Sequence, residues 1–272
     1  MYRRAAKWGA CGVAGCSAAG LAQVAHLRLH YISPLEPQGH RFGHAGQAFD
    51  GKPIRLLFIG DSICMGVGAT RAAPLQAACA ERFASLRQVP VTWNTIGATG
   101  ADVQELSALV DVDQAGDDDA RRTKGFDIAV VFCGVNDGKK LFMGRFPSVF
   151  GRDLRDLCAK LRDKAPEARI AVPCIPAYVA APLLQLWPMR HLVRFFFGCF
   201  EAEKKALEEE DLIQCPSPAE HRMPTPEDTV LWAVDGIHPS GEGYRLVGEW
   251  LGTELASPVE RTGSLRPAPF CP

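Results

Sequence analysis

Short apolar runs alternate with longer amphipathic segments through the middle of the chain. The run IRLLFIG at 54–60 is almost continuously apolar and ends in glycine, which is typical of a parallel strand buried on both faces. Three later runs follow the same pattern: VPVTWNT from 89, FDIAVVFCG from 126 and ARIAVPCIP from 168. We therefore predict a strand at each of these places.

The segments between the runs predict helices. Residues 71–87 are rich in Ala, Leu, Gln and Arg, 101–110 and 149–165 have helical composition and periodicity, and a last helix follows His238. Strands and helices that alternate at this spacing predict βαβ units with right-handed crossovers. The predicted fold is α/β: a three-layer α/β/α sandwich, flavodoxin-like, with a mostly parallel sheet of about five strands.

The same pattern divides the chain. The predicted domain covers 53–256 and a C-terminal tail covers 257–272, while 36–52 is rich in Gly, Pro and His without apolar periodicity and predicts a linker. Residues 1–35 contain no Asp or Glu, and basic residues near the start precede an uncharged stretch from Trp8 to Ala25. That layout is typical of a signal peptide, a signal anchor or an organelle transit peptide, so any membrane association is expected through this segment. A loosely packed extension is the alternative.

Composition narrows the range of partners. The chain is 47% hydrophobic and 22% charged, as an ordinary soluble globular protein is, and its net charge is only -1. Such a balance creates no uniform field that would favour nucleic acid or an anionic membrane, so a small-molecule or lipid substrate is expected, and the oligomeric state stays open. The ten cysteines are dispersed. Since none of them stands in a CxxC pair, we expect mostly reduced, structural thiols. Cys215 and His221 are isolated in the sequence, so no metal site is expected.

The motif GDSI places Ser62 directly after the first predicted strand. In a parallel sheet, ligand sites lie outside the carboxyl ends of the strands, so this serine belongs to the rim where a site is expected. The motif differs from the GxSxG nucleophile elbow because Cys64 stands in place of the second glycine. Taken alone, Asp-Ser after Gly is also a common turn and helix N-cap.

The motif DGIHP places Asp235 three residues before His238. A serine hydroxyl becomes a good nucleophile when a base removes its proton, and an imidazole base needs a carboxylate to fix its tautomer. One loop can supply both groups. The alternative is a helix-entry turn in which the aspartate caps the backbone.

Two further motifs follow strand ends. CGVNDG carries Asn136, whose amide could donate to a developing oxyanion, although an Asn-Asp turn is the alternative. TIGATGADV carries Gly97 and Gly100 between a strand and a helix, where small residues allow the backbone to approach a reacting carbonyl closely. Taken alone, it is an ordinary glycine turn.

Together, GDSI, GATGAD, GVND and DGIHP resemble, in order and spacing, the four conserved blocks of the SGNH (GDSL-type) hydrolases, a family of esterases and lipases. The resemblance spans about 53–255. It implies a flavodoxin-like domain that hydrolyses carboxylic esters through an acyl-enzyme, without metal or cofactor. Carried over residue by residue, it makes Ser62 the nucleophile, His238 the base and Asp235 the residue that orients the base.

The resemblance also implies an oxyanion hole. Its donors would be the backbone N–H groups of Ser62 and Gly100 with the amide of Asn136. The family often has Asn near the start of the second block, where Thr95 stands here, so Gly97 remains the alternative to Gly100.

The substrate is less defined than the reaction. Residues 177–198 are unusually apolar and follow the fourth strand, so they should overhang the same rim, with Trp187 and Phe196 as candidate substrate-binding residues. A core helix and a membrane-facing lid are the alternatives. Short- to medium-chain acyl esters are expected, with lipid esters and acetylated-sugar esters also open. An acyltransferase using the same three residues, or a non-catalytic binding protein on the same fold, would give the same motifs.

Overall fold

In a computed structural model of the chain, the structure is described for residues 22–23, 29, 31, 34–112, 125–174, 180–218 and 224–257. The predicted targeting segment at 1–35 lies largely outside these residues. So do His221 and nearly all of the predicted tail at 257–272.

A five-stranded sheet forms the centre of the described structure. Its strands are β1 (Phe42–Ala45), β2 (Ile54–Gly60), β3 (Val91–Gly97), β4 (Ile128–Phe132) and β5 (Arg169–Ala171), in the order β1-β3-β2-β4-β5. The pairs β2–β3, β2–β4 and β4–β5 are parallel, and only β1 is antiparallel to its neighbour. The prediction of a mostly parallel sheet in an α/β sandwich is confirmed.

The linker predicted at 36–52 instead contributes the edge strand β1. Phe42 pairs with Asn94 and Ala45 pairs with Val91 in antiparallel register. This strand is only four residues long and includes Gly43 and His44, so it carries no apolar alternation that a sequence pattern could reveal. Backbone hydrogen bonding to the exposed edge of β3 holds it in place.

Seven helices can be followed in the described residues. They are α1 (Ser62–Met65), α2 (Pro74–Arg87), α3 (Val103–Val112), α4 (Val135–Lys139), α5 (Pro147–Lys164), α6 (Met189–Glu209) and α7 (Gly241–Ala256). The predicted helix at 71–87 begins only at Pro74, because proline suits the first helical turn, where no intrahelical N–H bond is required. No helix in the described part of the chain is both long enough and apolar enough to cross a membrane.

Two apolar clusters lie on opposite faces of the sheet. Leu57 and Ile59 of β2 pack into one cluster with side chains of α3, α5 and α6, while Phe58 packs into the other with side chains of α2 and α7. Alternate residues of the same strand therefore enter different clusters. This is why a strand buried on both faces has a nearly continuous apolar sequence.

The strand register brings the rim residues together. Gly60, the last residue of β2, lies beside Gly97 of β3 and Phe132 of β4. A Cβ added at Gly97 would lie 2.1 Å from the Gly60 carbonyl oxygen, so glycine is required for this close approach. The segments that follow these three strand ends therefore start at one edge of the sheet.

Candidate active site

Ser62 is the first residue of α1, directly beyond the end of β2. Asp61 caps this short helix, and its Oδ1 accepts a hydrogen bond from the Ile63 N–H at 3.0 Å. The helix ends after one turn at Gly66, whose φ of 73° lies in the left-handed region. The cap and the glycine together fix Ser62 at the strand-to-helix turn, where it is 8% exposed.

His238 bridges the serine and a carboxylate. Its Nε2 lies 2.9 Å from Ser62 Oγ, and its Nδ1 lies 2.6 Å from Asp235 Oδ2. The three side chains therefore form a continuous hydrogen-bonded chain between groups that are 176 residues apart in sequence. This is the arrangement in which an imidazole can receive a serine proton while a carboxylate holds its other nitrogen.

A tight turn fixes Asp235 under the imidazole. Its Oδ1 accepts hydrogen bonds from the N–H groups of Ile237, at 3.1 Å, and His238, at 3.0 Å. Burial by itself raises the pKa of Asp235, but the hydrogen bonds from His238 and from these two N–H groups outweigh it, so the pKa lies below its ordinary value. The carboxylate is therefore held ionised.

Asn136 connects three of the four motifs. Its Nδ2 donates to Asp61 Oδ2 at 3.1 Å and to the Ala101 carbonyl at 3.0 Å. Asp61 precedes the serine and Ala101 follows Gly100, so the asparagine links the loops that carry Ser62 and Gly100. Both amide hydrogens already have acceptors, and an oxyanion would have to share one of them.

Asp61 was not singled out in the sequence, yet it is buried at the centre of this contact set. Burial raises the pKa of Asp61 to about 6, opposed by the hydrogen bond from the Ile63 N–H. Its two oxygens accept from different donors, the Ile63 backbone and the Asn136 amide. Asp61 therefore positions both the serine helix and the asparagine.

Gly100 and Gly97 have different structural roles. Gly100 has a φ of 87°, and a Cβ added there would meet nothing within 4 Å. It lies on the open rim, whereas Gly97 is held against β2. The open position suits a backbone N–H that must face a ligand, which favours Gly100 over Gly97 as a rim donor.

The sequence of the chain matches a family model, that of the GDSL-like Lipase/Acylhydrolase family, over residues 58–246. The chain belongs to this family. The predicted membership of the GDSL-type hydrolases is therefore confirmed, and hydrolysis of ester bonds is the reaction class that the family supports. Among curated proteins, none matches the chain significantly.

Solved structures of lipases and esterases share the fold of this GDSL-like protein. The lipase Lip_vut3 from a goat rumen metagenome is 17% identical, with a TM-score of 0.55 over 75% of this chain and 97% of its own. Axe2, an acetylxylan esterase from Geobacillus stearothermophilus, is 18% identical, with a TM-score of 0.51 over 76% of this chain and 96% of its own. A family two carbohydrate esterase from Clostridium thermocellum, solved with cellohexaose, is 16% identical, with a TM-score of 0.52 over 75% of this chain and 65% of its own.

An ion-pair network that the sequence analysis missed anchors α4 in this GDSL-like protein. Asp137, the residue after Asn136, is fully buried and accepts from Arg145 at 2.6 Å and from the Val103 N–H at 3.2 Å. Lys140 is bound to Asp102 at 2.8 Å. The network connects α4, which carries Asn136, to the start of α3. Within it, Lys140 is paired with Asp102.

The structure separates the two candidate substrate-binding residues. Trp187 is 58% exposed, and its carbonyl accepts from Gln23 Nε2 at 2.7 Å. Phe196 is partly buried and packs against the core cluster between the sheet and α3, α5 and α6. No described contact joins either residue to Ser62 or His238. The next residue, Phe197, packs against Gly138 of α4, so α6 does flank the helix that carries Asn136.

A cluster of potential metal ligands lies at the end of β5. The ligand atoms of Cys174, Glu201 and Cys215 lie within 4.8 Å of one another, and the two sulfurs are 3.1 Å apart. Sequence spacing could not reveal it, because the pairing of 172–174 with 214–216 creates it. Lys204 is buried here and forms an ion pair with Glu201 at 2.8 Å. The ammonium group thus supplies a positive charge beside the ligands, which opposes binding of a metal cation.

Proposed function

We propose that this protein is a serine esterase that cleaves carboxylic esters of short- to medium-chain acyl groups through an acyl-enzyme. The observation that carries the proposal is the position of His238, 2.9 Å from Ser62 Oγ and 2.6 Å from Asp235 Oδ2. A serine at a strand end needs only such a base to become a nucleophile.

In the first half of the proposed reaction, His238 Nε2 takes the hydroxyl proton of Ser62 as Oγ attacks the ester carbonyl carbon. Asp235 stays ionised and stabilises the imidazolium through Nδ1–H. The imidazolium then gives its proton to the alkoxide that leaves, and the acyl group remains on Oγ. In the second half, the same imidazole takes a proton from water as the water oxygen attacks the acyl carbon. The bond from the acyl carbon to Ser62 Oγ then breaks, the imidazolium returns its proton to Oγ, and the acid is released.

The negative charge on the tetrahedral intermediate needs preorganised donors. The proposed donors are the N–H groups of Ser62 and Gly100, with the Asn136 amide as a shared third donor. The N–H of Ser62 is at the start of α1, so no intrahelical acceptor is available to it. Asn136 reaches the oxyanion by sharing the hydrogen that it now gives to Asp61 or Ala101.

The surface near the site favours acyl chains over highly polar groups. Leu186 and Trp187 precede α6, and they are 55% and 58% exposed. The 3₁₀ turn Pro182–Leu184 lies against the turn that carries the triad acid, since the Leu183 N–H donates to the Gly236 carbonyl at 3.0 Å. Apolar side chains thus border the Asp235–His238 turn. Acetylated sugars, the substrates that the name of the acetylxylan esterase implies for that protein, are the second class to test.

Covalent labelling is the most direct test. A fluorophosphonate probe should label the full-length protein at Ser62, and Ser62→Ala should abolish labelling. Ser85→Ala is the matched control, because Ser85 is an exposed serine on α2, on the opposite face of the sheet from α6. Absence of labelling in the wild-type protein would contradict the proposal and favour a non-catalytic binding protein.

Acyl specificity is tested with p-nitrophenyl esters from acetate to octanoate, beside acetylated xylo-oligosaccharides. The specificity constant kcat/KM should rise from acetate towards hexanoate, since each methylene of the acyl chain that is buried contributes up to about 0.8 kcal/mol of binding free energy. Trp187→Ser should reduce this rise while sparing acetate. Transfer of the acyl group to added glycerol, in place of hydrolysis, would identify an acyltransferase.

A further inference from the structure

The first half of α6 and the residues just before it form a surface of mixed apolar and basic side chains, which we call the ledge. Its apolar members are Leu186, Trp187, Leu192 and Phe195, which are 55%, 58%, 43% and 67% exposed. Arg190 and Arg194 are exposed between them. Large side chains are seldom left this exposed in consecutive helical turns unless the surface has a partner.

The charge of the ledge has one sign. The sequence contains no Asp or Glu from 168 to 200, and the first acid on α6 is Glu201. None of the ion pairs in the described part of the chain includes Arg190 or Arg194. The Nε of Arg190 donates to His191 Nε2 at 3.1 Å, which carries no negative charge, so no described acid neutralises either guanidinium group.

Two described residues of the N-terminal segment contact the ledge and the site. Gln23 donates to the Trp187 carbonyl at 2.7 Å, and Tyr31 donates to Asp235 Oδ2 at 2.8 Å. The preceding residues hold Arg3, Arg4 and Lys7 and no acid. A second basic and apolar part of the sequence thus precedes Gln23.

We propose that the ledge docks on the surface of an anionic phospholipid bilayer. Exposed aromatic and leucine side chains enter the interface between headgroups and acyl chains, while arginines bind lipid phosphates, as in an amphipathic helix that lies in the membrane plane. Because α6 borders the Asn136 helix, docking holds the site next to the membrane. A second copy of the chain would need acidic groups to pair with Arg190 and Arg194, and the ledge itself has none.

The inference is separate from the proposed esterase activity, since binding can be measured with Ser62→Ala. The full chain should co-sediment with vesicles of phosphatidylcholine containing about one third phosphatidylglycerol, and far less with phosphatidylcholine alone. Leu192→Ser with Phe195→Ser should reduce the partition coefficient by roughly tenfold, and Arg190→Gln with Arg194→Gln by a similar factor. Trp187 is left unchanged because it is also a candidate substrate contact.

Matched controls separate the ledge from general effects. Leu86→Ser removes an apolar side chain that is 44% exposed on α2, on the opposite face of the sheet, and should leave vesicle binding unchanged. Arg152→Gln with Arg155→Gln removes the same net charge from α5. Equal binding by the ledge variants and the wild type would overturn the proposal and assign binding to the N-terminal segment. A stable dimer that Leu192→Ser and Phe195→Ser dissociate, without vesicle binding by the wild type, would also overturn it.

Discussion

The hydroxyl of Tyr31 donates a hydrogen bond to Asp235 Oδ2 at 2.8 Å, the same oxygen that faces His238 Nδ1 at 2.6 Å. Tyr31 lies 204 residues before the aspartate, in the segment that the sequence assigns to targeting. The carboxylate therefore has four described donors: Tyr31, the imidazole and two backbone N–H groups. We infer that Tyr31 is a positioning residue for the proposed triad.

Replacing Tyr31 by Phe removes one donor and leaves the other three. Since the bond is partly exposed, we expect kcat to fall by roughly threefold, with KM unchanged. The acidic limb of the pH–rate profile should also shift, because the environment of the Asp235–His238 pair changes. Tyr2→Phe, in the same segment, is the control. An unchanged kcat and pH profile would show that the contact has no role in catalysis.

The triad itself predicts strong non-additivity. Ser62→Ala or His238→Ala should lower kcat by roughly 10³-fold or more, and the double variant should be little worse than either single one. Asp235→Asn should lower kcat less than Ser62→Ala does, although the asparagine amide would favour the wrong tautomer of the imidazole. Full activity in Ser62→Ala would exclude the assignment.

Asn136→Ala tests the third oxyanion donor. The change should lower kcat by roughly 10²-fold because a transition-state contact is lost. It should also lower the melting temperature, since the buried Ala101 carbonyl and Asp61 each lose a donor. Asn94→Ala on β3 is the control for an asparagine outside the site. If the melting temperature falls but kcat per folded molecule is kept, Asn136 is only a structural residue.

Contacts within one strand or one turn are those that a sequence pattern can predict. Apolar runs predicted β2 and β4, and thereby placed Ser62 and Asn136 at strand ends, because burial on both faces leaves a local signature. The Asp235–His238 pair is also local, since three residues separate its members. These parts of the site were predictable from spacing and the family resemblance.

Contacts between distant segments left no such signature. Asn136 binds Asp61 across 75 residues, and the crossover from β3 to β4 determines that encounter. Cys174 meets Cys215 across 41 residues for a similar reason. The edge strand β1 depends on the free edge of β3 and not on its own sequence. Local periodicity has no information on which strands and loops become neighbours.

Packing of α2 against α7 predicts a large effect of one methyl group. A Cβ added at Gly248 would lie 2.3 Å from the Leu75 carbonyl, so Gly248→Ala must push the two helices apart. We expect a loss of about 1–3 kcal/mol in the free energy of unfolding, measured by urea denaturation. Gly241→Ala, in the first turn of the same helix, meets nothing within 4 Å and should be neutral or slightly stabilising. Equal effects of the two changes would contradict the packing argument.

Asp61 predicts a specific pH dependence of stability. Burial raises its pKa in the folded protein to about 6, above the ordinary value of 3.8. The folded state therefore binds more protons than the unfolded state between these values, and the contribution of Asp61 to stability falls as pH rises through that window. The size is on the order of 3 kcal/mol, because each pKa unit corresponds to about 1.4 kcal/mol.

The variant Asp61→Asn cannot ionise and should lose this pH dependence. Urea unfolding of the wild type and the variant at about pH 4, 5, 6 and 7 gives the difference in free energy at each pH. Contributions from acids with lowered pKa, such as Asp102 and Asp235, occur in both proteins and cancel in that difference. The advantage of the wild type should shrink as pH rises and then level off above about pH 6. A difference that stays constant would mean that the pKa of Asp61 is not shifted on folding, and one that grows with pH would mean that the folded protein stabilises its ionised form.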